Sequence, residues 1–399
     1  MKLLERRPPA DSRAGRWRRA ALAVFRKEMI ETLRDRRTLV AAVLLPALTM
    51  PLVVLVAPAL AQRQQEAWQQ RPVRVAVQDD AWGPLVAAGG RTGSVRVQAV
   101  ADPQTALLRG QIEAVLSRDA RREGLLLVLY DESRPASVAA ARSVAALAAQ
   151  TLGRGPGAGS PGWGADLDRP VGIEVRNIAT PERMGGALLA SALPLFLAVW
   201  LLLGGQHAAL DVGAGERERG TLEPLLAMPA ARSALVAGKF LAVLAPAVLA
   251  LIVMLSSGTG ALVAGGGLLM TGPVRVAVRP TTAGLVMAVG VALAVLLSAA
   301  QLAVSLASRT LREAQQAFTG LYLVVALPAM LAPLAADALD HSWVPLVPVL
   351  NAVWAIRALL LESAAPPALA ATIGSTLGLA VPILAWTGWL LGRHGRLNR

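Results

Sequence analysis

TLVAAVLLPALTMPLVVLVAPALAQ, residues 38–62, runs for 25 positions between Arg37 and Arg63 without a charged side chain. A helix needs roughly 20 mainly apolar residues to cross a bilayer core about 30 Å thick, and this stretch supplies them. Comparable uncharged stretches lie between Arg183 and Asp211, Lys239 and Arg275, Arg279 and Arg309, Glu313 and Asp337, and Glu362 and Arg393. Over 399 residues the chain is 55% hydrophobic and only 16% charged, with a mean hydropathy of +0.52. A soluble domain is about a quarter charged. The reading is an α-helical polytopic membrane protein with six transmembrane helices, at about 38–60, 184–206, 239–260, 284–307, 316–336 and 368–391.

Absences remove whole classes of chemistry. The chain has no cysteine, which excludes disulfides, thiol catalysis and cysteine-ligated metal centres. Its three histidines, His207, His341 and His394, are too far apart in sequence for an HExxH-type zinc site. No GxxxxGK[ST] loop is present, so any ATP must be bound by another chain. AGSPG around Ser160 has Ala158 where a nucleophile elbow needs its first glycine, and it reads as linker.

The net charge of +13 is concentrated at the ends. Residues 1–37 hold 12 basic and 5 acidic side chains, a net +7, and 393–399 add +3. Basic flanks of this kind stay on the cytoplasmic side, so both termini are expected inside and the first span is expected to be a retained anchor in the plasma (inner) membrane. Attraction to anionic lipid accounts for the basic ends, and nucleic acid is not expected as a partner. Segment 61–183 is nearly balanced, with 15 basic and 13 acidic residues. With six crossings and both ends inside, it must lie outside.

The chain therefore divides into a cytoplasmic N-terminal region (1–37), a first span (38–60), an extracytoplasmic α/β domain inserted between helices 1 and 2 (61–183), five further spans (184–392) and a basic tail (393–399). WRRAALAVFRKEMIETLRDRR, 17–37, reads as an interfacial amphipathic helix along the cytoplasmic surface: Leu22, Phe25, Met29 and Leu33 share one stripe, with Lys27, Glu31 and Arg34 on the other, watery side and Arg26 within the apolar arc. Pro46, Pro51 and Pro58 in the first span predict a kink or break near Pro51. Strand-like runs (VRVAV, VRVQAV, IEAVL, LLLVLY, VGIEV) alternate with helix-like ones across 72–182, and a glycine-rich connection occupies 153–164. HSWVPLVPVLNAVWAI, 341–356, is too short and too proline-rich to cross alone and reads as a re-entrant or interfacial element. Stretch 258–274 either extends the third span or forms another such element.

Most span interiors carry no ionisable residue, which disfavours a proton-coupled carrier. The polar groups are Ser191, Ser298, Gln301 and Ser305, read first as interhelical hydrogen-bonding groups. Ser298, Gln301 and Ser305 are also the candidate pathway residues, together with carbonyls freed at Pro46, Pro51, Pro194, Pro246 and Pro328. Carboxylates occur only near the outer ends, at Asp337, Asp340 and Glu362.

The connection after the second span, DVGAGERERGTLEPLLAMPAARSALVAGKF (211–240), alternates charge at Glu216, Arg217, Glu218 and Arg219. Gly220 allows a turn, Thr221 is placed to cap a short helix, and Pro229 ends it. Such a compact polar helix suits a soluble partner, but by spacing alone a solvated loop is the favoured reading of the charge run. ERERGTLEPLLAMP followed by GKFLAV resembles the motif after the second span in permease subunits of six-span ATP-binding-cassette exporters, most nearly the permease of Nat-type sodium exporters. LRDRRTLVAAVLLPAL (33–48), the βα pattern with ADPQTALLRG and YDESRPAS, and VPLVPVLNAV are similar to that family as well.

The resemblance implies a coupling segment within 211–232 that docks on a cytoplasmic ATPase subunit. Its residues would be Glu216, Arg217, Glu218, Arg219, Gly220, Thr221, Leu222, Glu223 and Pro224, with Arg34, Asp35, Arg36 and Arg37 as neighbours. It also implies a dimer with a second permease copy or a paralogue, ATP and magnesium held by the partner ATPase, no cofactor on this chain, and sodium as cargo. A hydrophobic drug or lipid is the alternative cargo. A membrane-anchored sensor or assembly factor, with a ligand-binding outer domain, is the alternative from another class.

Overall fold

The computed structural model describes residues 13–53, 72–79, 82–91, 93–119, 122, 125–152, 172–180, 183, 186, 189–190, 192–265, 279–331 and 343–397. Pro58, the stretch 153–164, Ser191, the part of 258–274 beyond 265, Asp337 and Asp340 lie outside the described residues. The chain divides into two compact units, one of residues 1–53, 190–262 and 279–399, the other of 54–189 and 263–278.

The first unit is helical: α1 (Arg13–Arg34), α2 (Arg36–Val53), α6 (Leu193–Glu218), α7 (Leu222–Ala227), α8 (Arg232–Gly265), α9 (Pro280–Ala307), α10 (Leu311–Leu331), α11 (Leu350–Leu360) and α12 (Pro366–Leu397). Among the described residues five helices are long and apolar enough to cross a membrane: α2, α6, α8, α9 and α12. The expected fifth crossing, 316–336, is represented by α10. Its first turns carry Arg312, Glu313, Gln315 and Gln316, and its apolar continuation beyond 331 lies outside the described residues. α9 is the hub, packing on α6, α11 and α12. At one end of the unit Val24, Val212, Leu235, Leu302, Leu306, Phe318 and Leu391 form a core shared by six helices.

The first span does not break at Pro51. The helix runs through Pro46 and Pro51, and its irregularity is a π turn at Val40–Leu44, just ahead of Pro46. A proline ring clashes with the carbonyl four residues back, and a wider turn before it accommodates that carbonyl. In 343–360 a 3-10 turn at Val344–Leu346 leads into α11, whose 11 residues span about 16 Å and fall short of a bilayer core. Asn351 anchors it: its buried amide nitrogen donates within reach of Ser375 Oγ at 2.9 Å, Thr376 Oγ1 at 3.0 Å, and the carbonyls of Thr372 and Pro345 at 3.2 and 3.3 Å.

The second unit is a five-stranded sheet of β1 (Val73–Val77), β2 (Val95–Val97), β3 (Ala114–Arg118), β4 (Leu125–Tyr130) and β5 (Gly172–Asn177), in the order β2-β1-β3-β4-β5. β1 is parallel to β2 and β3, β3 and β4 are antiparallel, and β4 and β5 are parallel. Both faces are covered, which is why β3 and β4 read as continuous apolar runs. Val75, Leu116, Leu126 and Val128 pack under α3 (Gly83–Arg91) and α5 (Pro135–Leu152), while Ala76, Val115, Leu127 and Leu129 pack under α4 (Pro103–Arg109). The sequence of α4 sets both its ends. Asp102 accepts from the N–H groups of Gln104 and Thr105, Pro103 opens the first turn, and Gly110 at φ 75 closes the last.

Replacing Asn351 with leucine removes the amide donor shared by that buried cluster, leaving only the Ser375 and Thr376 hydroxyls to donate to its carbonyls. The expected loss is about 1 to 3 kcal/mol, seen as a lower melting temperature of the purified protein in detergent.

Candidate functional site

The connection after the second span is built on a second π turn, Asp211–Gly215, at the end of α6. A π turn puts backbone groups out of the ordinary i to i−4 register, so side chains from neighbouring helices must satisfy some of them. Ser305 of α9 accepts from the N–H of Ala214 at 2.9 Å, and Lys239 of α8 donates to the carbonyl of Val212 at 2.8 Å.

Lys239 has no exposed surface. Its ammonium lies 2.6 Å from Glu216 Oε2 and 3.4 Å from Glu28 Oε1 of α1. Lys27 closes the circuit, 3.0 Å from Glu216 Oε1 and 3.2 Å from Glu28 Oε1. Two ammoniums and two carboxylates thus form a cluster linking α1, α6 and α8, with the exposed Glu31 3.8 Å from Lys27 at its rim, and the pairing of opposite charges is what makes the burial of Lys239, Glu28 and Glu216 tolerable. Burial holds the Glu28 carboxyl above its ordinary range. Lys239 opposes that shift, and neighbouring Glu216 adds to it. Burial also works against the Lys27 charge, but the Glu216 hydrogen bond and the two carboxylates outweigh it and raise Lys27 above an ordinary lysine.

Close packing places these groups. A Cβ on Gly238 would sit 2.7 Å from the Ala21 carbonyl oxygen and 2.7 Å from Val24 Cβ, so α1 lies directly on the backbone of α8. The stripe of α1 turned to the protein is Ala21, Val24 and Glu28. Leu22 and Leu33 stay on the outside, whereas Lys27, read from sequence as part of the outward polar side, reaches Glu216.

Of the four alternating charges, Glu216 and Arg217 turn toward the protein, whereas Glu218 and Arg219 stay exposed at its surface. Glu216 is buried in the lysine cluster. Arg217 donates to the carbonyls of Ser308 and Leu306, both at 2.6 Å, at the C-terminal end of α9. Glu218 accepts from the N–H of Leu311 at 2.9 Å, at the start of α10. Arg219 pairs with Asp211 at 3.6 Å. The arrangement follows helix-end chemistry: a cation on orphan carbonyls and an anion on an orphan N–H, each also favoured by the helix dipole.

Thr221 does not cap α7 with its side chain; its hydroxyl donates back to the Glu216 carbonyl at 3.2 Å. Gly220 makes the turn at φ 71. Leu222 is buried, Leu225 and Leu226 pack on the shared core, and Glu223, Pro224, Ala227, Met228 and Pro229 form the exposed face.

Next to this segment Asp35 divides α1 from α2. It caps α2 by accepting from Arg37 N at 3.0 Å, Thr38 N at 3.4 Å and Thr38 Oγ1 at 2.8 Å. Partial burial works against its charge, but the Thr38 and Arg37 hydrogen bonds hold it below the usual carboxylate range. Arg34, Arg36 and Arg37 are exposed.

Ser298, Gln301 and Ser305 are fully buried where α9 meets its neighbours. Gln301 Nε2 donates to the Leu202 carbonyl of α6 at 2.7 Å, and Ser305 holds the π turn. Gln301 and Ser305 thus join α9 to α6, and Ser298 is buried on the same face of α9. Glu28 and Lys239 are the functional residues that sequence reading passed over. The available signal was a lysine within ALVAGKFLAVLAP, directly after a glycine.

Comparison with known proteins gives two findings. Residues 22–392 match the model of the ABC-2 family transporter proteins. The chain is also 24% identical over 386 residues, 91% of this chain and 94% of the relative, to the ABC transporter permease protein NatB of Bacillus subtilis (strain 168).

Replacing Lys239 with methionine strands two carboxylates on a single lysine and is expected to destabilise the unit by about 3 to 5 kcal/mol. The triple change Lys239→Met, Glu216→Gln, Glu28→Gln should recover most of that loss. Thermal unfolding together with limited proteolysis between α1 and α2 reads both.

Proposed function

The chain belongs to the ABC-2 family of transporter proteins, and from that premise we propose that it is the membrane permease subunit of an ATP-driven exporter whose cargo is sodium. A separate cytoplasmic ATPase subunit binds ATP and magnesium and drives it. The observation that carries this reading is α7. It is a short helix with an exposed outer face that follows directly on the end of α6, where Arg217 and Glu218 bond to the ends of α9 and α10 and Glu216 to α1 and α8, and its own Leu225 and Leu226 pack on the shared core.

A force applied to α7 reaches those helix ends through the short Gly220 turn and through Leu225 and Leu226, which pack on the shared core. Closure of two ATPase subunits beneath a permease dimer would then swing the helices as a body, the rigid-body mode of switching between inward and outward states. The docking residues are those α7 leaves outside: Glu223, Pro224, Ala227 and Met228. Glu216, Arg217 and Glu218 transmit rather than dock. Sodium rests on the resemblance to the Nat-type permeases, with Ser298, Gln301 and Ser305, buried on α9, as its candidate pathway residues.

The basic ends support a topology with six crossings, α10 being the fifth, both termini cytoplasmic and residues 61–183 outside. On this cysteine-free chain, a thiol introduced at Gly157 is expected to react with an impermeant reagent from the outer side. Reaction from the cytoplasmic side alone would overturn the topology.

Glu223→Lys combined with Met228→Glu should lower capture of the cognate ATPase by about tenfold or more while membrane insertion stays intact, as expected when contacts at a small docking helix are reversed. Unchanged capture would remove α7 from the interface. Vesicles holding the full complex should move sodium with ATP. Clearance of a hydrophobic dye with no sodium movement would replace the cargo and leave the exporter standing.

A further inference from the structure

A cavity of about 400 Å³ opens between the N-terminal turns of α2 and the middle of α6. On α2, Arg37, Ala41 and Leu45 follow one another at four-residue spacing, with Arg36 and Val40 beside them. On α6, Leu203 and His207 keep the same spacing. His207 is within electrostatic reach of Asp35, which puts it at the arginine end. From Arg37 to Leu45 the helix advances about 12 Å, so the cleft is a hydrocarbon-walled groove bordered at one end by Arg36, Arg37 and His207. The π turn at Val40–Leu44 falls in its wall, and Val40 and Leu45 are 42% and 41% exposed. Among the described residues no carboxylate pairs with the guanidinium of Arg36 or Arg37.

These features select an occupant. A soluble anion would leave the apolar wall of Val40, Ala41, Leu45 and Leu203 open, and an uncharged hydrocarbon would leave two arginines without a counter-charge. An amphiphile with an anionic head matches both ends. The site lies where a candidate span begins, beside a segment of net +7 that draws anionic lipid to the surface.

We propose that this cleft is a binding site for one anionic phospholipid, its phosphate held by Arg36, Arg37 and His207 and its acyl chain lying along Val40, Ala41, Leu45 and Leu203. The lipid bridges α2 to α6 next to the coupling segment.

The full-length protein, delipidated in detergent, is titrated with phosphatidylglycerol, phosphatidylcholine or glycerol phosphate, and bound molecules are counted by native mass spectrometry. One phosphatidylglycerol is expected to bind at least about tenfold more tightly than phosphatidylcholine, and Arg36→Ala with Arg37→Ala should erase that preference. Ala41→Trp, which fills the apolar end and keeps the arginines, should also lose the lipid, whereas Arg312→Ala on α10 should not. Equal binding of the two lipids would overturn the site, as would full displacement by equimolar glycerol phosphate. So would retention of phosphatidylglycerol by the double arginine variant, including the case in which that variant loses only ATPase capture, which would assign the arginines to the protein partner.

Discussion

A lysine ammonium without exposed surface has to be answered by carboxylates. Lys239 is answered by two, one from the segment after the second span and one from a helix more than two hundred residues earlier in the chain. An unpaired charge at that depth would cost several kcal/mol, so α1 and α6 are held to α8 by a penalty for leaving as much as by attraction. The same ammonium also takes up the Val212 carbonyl at the π turn. One side chain therefore fixes the end of α6 and the docking of α1. Gly238, one residue before it, lets α1 approach closely enough for the contact to form.

Around that centre each helix end is completed by another segment's side chain. Arg217 satisfies the last carbonyls of α9, Glu218 an opening N–H of α10, and Ser305 an N–H of the π turn. Such ends cost free energy when left unmade, so displacing the segment would expose several at once. The result is a stiff base carrying one protruding short helix, a geometry suited to receiving a push.

The sequence made the apolar architecture legible because a bilayer imposes a length that charge-free runs reveal, and α2, α6, α8, α9 and α12 lie within or across those runs. The strand runs in 72–178 were legible from alternation and turn residues, and β4 falls on LLLVLY. Other features were not legible. The polar side of α1 was assigned to water because periodicity ranks faces by hydrophobicity and does not know that a lysine waits on α8. The bonds that Arg217 and Glu218 make were not legible because their partners, the ends of α9 and α10, are about ninety residues away. Ser298, Gln301 and Ser305 share a helical stripe, and the interhelical bonds of Gln301 and Ser305 depend on carbonyl and N–H groups of α6 that no spacing within α9 reveals.

The central claim is that α1 and α7 form one mechanical body with the ends of α6, α8, α9 and α10. Cysteines introduced at Leu22 and Ala227, both exposed, carry spin labels on an otherwise cysteine-free chain. Distances are then measured by double electron-electron resonance in complexes diluted with unlabelled permease. The account expects one narrow Leu22-to-Ala227 distance that is the same with and without ATP, in conditions where labels at Ala227 of two permease copies change their separation. A Leu22-to-Ala227 distance that broadens or shifts with ATP as much as the separation between copies would contradict it.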